Sequence, residues 1–113
     1  MSADLDELLF ALSDPTRRAV VGLLGQRPRR SSEIAAALRA SRPAMSRHLR
    51  VLRRAGLVEE SSIDEDARGR MYSLRPKRLG DVRSWLDELE GFWGDQLGAF
   101  KAHAERKHRD RGR

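Results

Sequence analysis

A basic segment without acidic residues is the part of this sequence best suited to chemistry with a polyanion. Residues 34–58 contain six arginines and no aspartate or glutamate, although the whole chain nets only +6. The six are Arg39, Arg42, Arg47, Arg50, Arg53 and Arg54. Arginine binds phosphate or the guanine edge through paired hydrogen bonds, whereas helix faces that are merely solvated normally mix both signs of charge. The segment therefore indicates contact with a nucleic acid.

Helical spacing divides this segment into two faces. On a helix over residues 43–55, Met45, Leu49 and Leu52 fall on one side and would face the core. Such a stripe fixes a helix to its domain while the opposite face enters the major groove of DNA. The residues predicted on or beside that outer face are Arg42, Pro43, Ser46, Arg47, Arg50 and Arg54.

A second cationic site is predicted in a polar loop between two β-prone runs. Arg68 and Arg70 flank Gly69 there, and arginines at such a loop contact phosphate or enter a narrow minor groove. Three acidic residues at 64–66 would repel phosphate and favour an ordinary exposed turn instead. Both interpretations stay open from the sequence.

The elements that position these residues follow from apolar spacing and from helix start and stop signals. Asp14-Pro15 and Ser41-Arg42-Pro43 are typical of helix starts, and Gly25 and Gly56 of helix ends. We predict helices over about 4–12, 15–25, 31–38, 43–55 and 79–104, and a β-hairpin over 57–63 and 70–74. The predicted fold class is mainly α with a small antiparallel β-hairpin, a winged helix-turn-helix with about five helices and a two-stranded wing. We expect one domain over 1–104 and a basic, disordered tail over 105–113.

The last predicted helix is too apolar to lie alone on a domain of this size. Large apolar side chains are costly to leave in water. Packing against the first helix would cover part of this stripe, and packing against a second copy of the chain would cover the rest. The residues predicted at this dimer interface are Leu5, Leu8, Leu9, Trp85, Leu89, Phe92, Trp93 and Phe100. An alternative is a protein–protein interaction module whose last helix binds a different partner.

Several classes of function are disfavoured. The chain has no cysteine, which excludes disulfides and thiolate chemistry. Ser46 and His48 are two residues apart and point in different directions on a helix, so they do not form a nucleophile–base pair. No apolar run has the length of a membrane span, and the acidic start differs from a signal peptide. We therefore expect a cytoplasmic protein that is not an enzyme and needs no cofactor.

Four stretches in order resemble the ArsR/SmtB-type winged helix-turn-helix repressors of bacteria. They are ALSDPTRRAVVGLL, SEIAAAL, SRPAMSRHLRVLRRAGLV and GRMYSLRP, and the resemblance covers about residues 5–100. It implies a dimer, formed through the first and last helices, that binds a DNA operator and represses transcription until a signal releases it. The twofold symmetry of a homodimer predicts that this operator is an inverted repeat. The resemblance also implies that the helix over 43–55 reads DNA. The positions that match the family's DNA-reading motif are Ser41, Arg42, Pro43, Ser46 and Arg47.

The resemblance fails at the metal sites of the founding members. Those members sense metals through a cysteine motif on the third helix, or through Asp/His and His/Glu pairs on the last helix. Here the third-helix stretch is Ser-Ser-Glu-Ile-Ala over 31–35, and the last helix offers only His103 and His108, five residues apart. The chain therefore resembles the branch without metal. A metal- or small-molecule-responsive sensor of the same fold remains the alternative, with its effector unknown.

Overall fold

The computed structural model describes residues 3–62 and 70–111, although not the side chains of 3, 62, 95–102 and 105–111. Its elements in chain order are α1 (Ala3–Leu12), α2 (Pro15–Gln26), β1 (Arg29–Arg30), α3 (Ser31–Ala37), α4 (Arg42–Arg54), β2 (Val58–Ser62), β3 (Arg70–Leu74) and α5 (Lys77–Arg111). The chain forms two compact units, Met1–Val82 and Arg83–Arg113. The first unit has the predicted winged helix-turn-helix architecture, with α3 and α4 as the helix pair.

The sheet has one strand more than the sequence predicted. Its order is β1-β3-β2 and both pairings are antiparallel. The predicted hairpin pairs Val58 with Leu74 and Ser62 with Arg70. The additional strand, β1, is two residues long and pairs Arg29 with Tyr72. A strand of two arginines lacks the alternation of apolar and polar side chains that predicts a strand from sequence. Only its pairing with β3 defines it.

Side-chain caps begin α2 and α4 where the sequence predicted them. The carboxylate of Asp14 accepts the backbone N–H of Arg17 at 3.0 Å, and Pro15 is the first residue of α2. The hydroxyl of Ser41 accepts the N–H of Ala44 at 3.2 Å, and Pro43 lies in the first turn of α4. Each cap satisfies a backbone N–H that has no partner within its helix.

One apolar core holds the first unit together, with contributions from α1 to α4 and from both longer strands. Its largest side chains with essentially no exposure are Leu8, Val20, Ile34, Met45, Leu49, Leu52 and Leu57. Burying a side chain of this size contributes roughly 1.5–3 kcal/mol relative to leaving it exposed. Three of the seven lie on α4, so this core holds that helix rigidly.

Helix α5 is longer than the sequence predicted. It begins at Lys77 and ends at Arg111, so the residues up to Arg111 that we expected in a disordered tail are helical. Residues 101–111 contain neither glycine nor proline and are rich in good helix formers, which explains the extension. Within the described residues, no helix is both long and apolar enough to cross a membrane.

Candidate nucleic-acid interface

The two faces of α4 are arranged as the periodicity predicted. Met45, Leu49 and Leu52 are at most 2% exposed and pack in the core. The exposed residues of the same helix are Arg42, Pro43, Ser46, Arg47, Arg50, Arg53 and Arg54. Ser41, also exposed, caps the helix directly beside them. The structure therefore brings every DNA-binding residue predicted between 41 and 54 onto one exposed surface, which we call the basic face of α4.

The turn before α4 contains an unusual residue. At the end of α3 the N–H of Ala40 donates to Ala35 O at 3.0 Å and the N–H of Arg39 to Ala36 O at 3.3 Å. This hydrogen-bond pattern is a Schellman motif, which requires one residue in the left-handed region and usually uses glycine. Here Arg39 takes that conformation with φ 53°. The sequence had predicted no special backbone there.

A buried arginine anchors the inner side of α4. Arg17 is 8% exposed, and its Nε and Nη2 donate to Ala11 O at 2.7 Å and Phe10 O at 3.0 Å, two carbonyls in the last turn of α1. Its Nη1 lies 3.4 Å from Nδ1 of His48 on α4. The same His48 nitrogen lies 4.0 Å from Asp14 Oδ2. Sequence reasoning missed this cluster, because nothing distinguishes buried Arg17 from its exposed neighbour Arg18.

A carboxylate connects α4 to the wing strands. Glu60 on β2 pairs through Oε2 with Arg53 of α4 and through Oε1 with Arg70 Nη1 of β3, the latter at 2.8 Å. The Glu60 side chain is only 12% exposed, whereas that of Arg70 is 69% exposed. Arg70, predicted to bind DNA, is therefore paired and still accessible. Arg68 and the acidic residues at 64–66 lie outside the described part of the chain.

Two clefts border α4. The first, about 650 Å³, lies between the helix pair and β3 and includes Arg30, Arg42, Ser46 and Tyr72. Burial raises the pKa of the Tyr72 phenol and nearby Glu60 raises it further, while the charges of Arg53 and Arg70 partly oppose this shift. The second cleft, about 530 Å³, is lined by Arg50, Arg53, Arg54, Val58, Glu59, Glu60 and Arg75. Sequence reasoning placed neither Arg30 nor Arg75 beside the helix.

Most cations of this surface have no anionic partner. Within residues 3–62 and 70–111, the side chains of Arg42, Arg47, Arg50 and Arg54 form no hydrogen bond or ion pair. A guanidinium group has five donors in a planar fork and matches phosphate or the guanine edge in geometry. The basic face of α4 thus presents unneutralised donors at a rigidly held helix.

Comparison with known proteins agrees with this geometry. A helix-turn-helix domain model matches residues 12–61, from the end of α1 into β2. The chain is 44% identical over 95 residues to the HTH-type transcriptional regulator Rv2034 of Mycobacterium tuberculosis, covering 84% of this chain and 83% of that protein. It is 31% identical over 82 residues to the transcriptional repressor SdpR of Bacillus subtilis, covering 73% and 88%. An ArsR-like transcriptional regulator from Rhodococcus sp. RHA1 superposes with TM-score 0.76 at 32% identity, over 91% of this chain and 92% of that one.

The chain belongs to the ArsR family of winged helix-turn-helix transcriptional regulators. It is accordingly a DNA-binding transcriptional regulator, and this family is a class of non-enzymatic proteins. The helix-turn-helix match includes α4 in full, so the helix with the basic face lies within the matched domain.

The residues predicted at the dimer interface of this ArsR-family regulator differ in accessibility. Leu5 and Leu8 are 8% and 0% exposed and are buried within the chain. Leu9 and Trp85 are half-buried, while Leu89, Phe92 and Trp93 are exposed. The side chain of Phe100 lies outside the description. Phe10 and Leu86 are also large exposed apolar residues, and the prediction did not include them.

The described residues of this ArsR-family regulator contain no metal-binding cluster of three or more His, Cys, Asp or Glu side chains. His103 is exposed on α5, and the side chain of His108 lies outside the description.

Proposed function

We propose that this ArsR-family regulator is a homodimeric repressor that binds an inverted-repeat operator with α4 in the major groove. The observation that carries the proposal is the basic face of α4, which exposes five arginines and no acid on a helix whose other face is buried. A rigid helix with base-reading donors is the element that helix-turn-helix proteins insert into DNA.

The residues of the basic face divide into two roles in this proposal. The first group lies at the N-cap and in the first half of α4, the part that contacts base edges in helix-turn-helix proteins: Ser41, Arg42, Pro43, Ser46 and Arg47. Arg47 is the strongest candidate for a base contact among them, because its side chain is exposed and forms no hydrogen bond or ion pair within the described residues. Arg50 and Arg54, farther along the helix, lie beside the second cleft and suit phosphate contacts. Arg68 and Arg70 of the wing would contact the flanking backbone.

The proposed dimer rests on the unit formed by α5. Leu86, Leu89, Phe92 and Trp93 recur at helical spacing and are 38% to 64% exposed. An aromatic stripe of this kind is typical of a surface that a partner covers. A twofold axis would place two copies of α4 at half-sites about one DNA turn apart. Binding to such an operator beside a promoter would repress transcription, the role named for the Bacillus subtilis relative. A protein that binds the bacterial chromosome would act in the cytoplasm.

Selection from random duplex DNA tests this function. The protein is incubated with a library of random duplexes at two salt concentrations, and the retained fraction is sequenced. We expect an enriched inverted repeat whose affinity falls steeply with salt, with a slope of about 0.9 per phosphate contacted. Uniform retention of all sequences, disappearing with salt, would contradict operator recognition and leave only non-specific binding.

A further inference from the structure

Arg75 lies beside α4 although it follows β3, far along the chain. Its backbone N–H donates to Leu57 O at 2.8 Å, which fixes its position next to the residues that end α4. Its side chain is exposed and forms no hydrogen bond or ion pair with the rest of the described chain. The fold thus adds a cation to a surface that the α4 sequence alone does not predict.

The cleft that Arg75 borders is cationic. Four of its seven lining residues are arginines and two are glutamates, Glu59 and Glu60. The carboxylate oxygens of Glu60 are already paired with Arg53 and Arg70, so its charge is compensated. This leaves Arg50, Arg54 and Arg75 against a single unpaired carboxylate, Glu59, which is exposed to water.

We propose that this cleft is a binding site for a backbone phosphate of DNA, with Arg75 as a phosphate contact alongside Arg50 and Arg54. The proposal rests on the proposed function and deepens it. A helix in the major groove, which is about 12 Å wide, lies between two phosphate strands. The cleft opens beside α4, between the last turns of this helix and the β-strands of the wing. One of the two DNA backbones would pass there. Guanidinium groups from two separate elements around a concave surface suit a phosphodiester better than a flat base edge.

The role of Arg75 differs in a measurable way from that of a base-reading residue. A phosphate contact contributes equally on every DNA sequence and adds about one unit to the salt slope. The loss of one charge-assisted hydrogen-bonded contact should lower affinity about tenfold at low salt. Glutamine at position 75 keeps the backbone N–H bond to Leu57 O, so the Arg75→Gln variant should fold normally.

The test compares Arg75→Gln with Arg83→Gln, which removes the same charge from an exposed position on α5. Affinity for the selected duplex and for a scrambled duplex is titrated over a series of salt concentrations. We expect Arg75→Gln to lose affinity about equally on both duplexes with a salt slope about one unit smaller, and Arg83→Gln to match the wild type. Equal thermal unfolding of the three proteins would show that folding is unaffected.

The other outcomes are distinguishable. An Arg75→Gln variant that matches Arg83→Gln, while the wild type binds DNA, would overturn this site and leave the proposed function intact. A loss confined to the selected duplex would make Arg75 a base contact instead. In a further outcome, inorganic pyrophosphate stabilises the wild type but not Arg75→Gln, and the two proteins bind DNA with equal affinity. That result would overturn the DNA-phosphate site and assign the cleft to a free anion. A wild type that binds no duplex would overturn the proposed function and the site together.

Discussion

Arg39 and Gly56 occupy equivalent positions at the ends of two successive helices. At the end of α4 the N–H groups of Gly56 and Leu57 donate to Arg53 O and Leu52 O, which is the same Schellman pattern that ends α3. Gly56 adopts the left-handed conformation in the second motif with φ 77°, and Arg39 adopts it in the first with φ 53°. A residue with a Cβ pays roughly 1–2 kcal/mol in this region, and glycine does not. The chain therefore carries strain at Arg39, in the turn that leads into the basic face of α4.

Arg39→Gly should raise the free energy of unfolding by about 1 kcal/mol, because the strain is relieved. Urea denaturation measures this change. The matched control is Gly56→Ala, which should destabilise by about 1 kcal/mol or more, because the added Cβ would also meet Arg78 Nε at 3.1 Å. A stability of Arg39→Gly equal to or below that of the wild type would show that the left-handed backbone at position 39 is not strained.

Asp14 couples the start of α2 to pH. The backbone N–H of Arg17 donates to the Asp14 carboxylate and holds the pKa of Asp14 below its ordinary value of 3.8. Partial desolvation raises this pKa, whereas the charges of His48 and Arg17 lower it further. A depressed folded pKa means that the carboxylate stabilises the fold above its unfolded pKa. That contribution is lost as the pH falls through the folded pKa.

Asp14→Asn should therefore retain the fold at neutral pH and show a weaker loss of stability in acid. Asparagine caps a helix about as well as aspartate but does not titrate. Denaturation midpoints measured from neutral pH to below 3.8 would show the wild type falling more steeply than the variant. Asp87→Asn, at an exposed position on α5, is the control and should follow the wild type. Parallel curves for wild type and Asp14→Asn would contradict the assigned role of this cap.

At the scale of elements, the strongest local signals were the most informative. The α4 stripe of Met45, Leu49 and Leu52 predicted that helix and its exposed face, and Asp14 and Ser41 marked two helix starts that the structure confirms. Strand β1 was missed because its pairing partner lies some forty positions away, and no local pattern records such a pairing. The end of α5 was misplaced because continuous helix formers give no stop signal.

Trp93→Ala tests α5 as a dimer interface. Truncating a central aromatic of an interface typically costs about 2 kcal/mol or more, so the dimer dissociation constant should rise at least about thirtyfold. Sedimentation equilibrium measures it. Glu88→Ala changes an exposed polar position of the same helix and should leave the dimer unchanged. An equally stable dimer in Trp93→Ala would remove this residue from the interface.

At the scale of the whole molecule, the proposed DNA-binding surface combines residues that the sequence predicts with residues that only the fold brings together. The basic face of α4 followed from charge and period within one segment. Arg75 joined it through its backbone hydrogen bond to Leu57 O, just after the end of α4, and Glu60 joined it by bridging Arg53 and Arg70. Buried Arg17 supports α4 from inside through His48. These contacts depend on tertiary packing, so no spacing rule could have found them.

The central claim is that the basic face of α4 reads DNA sequence, and Arg47 tests it most directly. The measurement is the affinity of the wild type and of Arg47→Ala for the selected duplex and for a scrambled duplex of the same composition. If Arg47 contacts a base, the variant should lose roughly 1–3 kcal/mol on the selected duplex and much less on the scrambled one. Equal losses on both duplexes would make Arg47 a phosphate contact, and no loss on either would contradict the assignment of α4 as the reading helix.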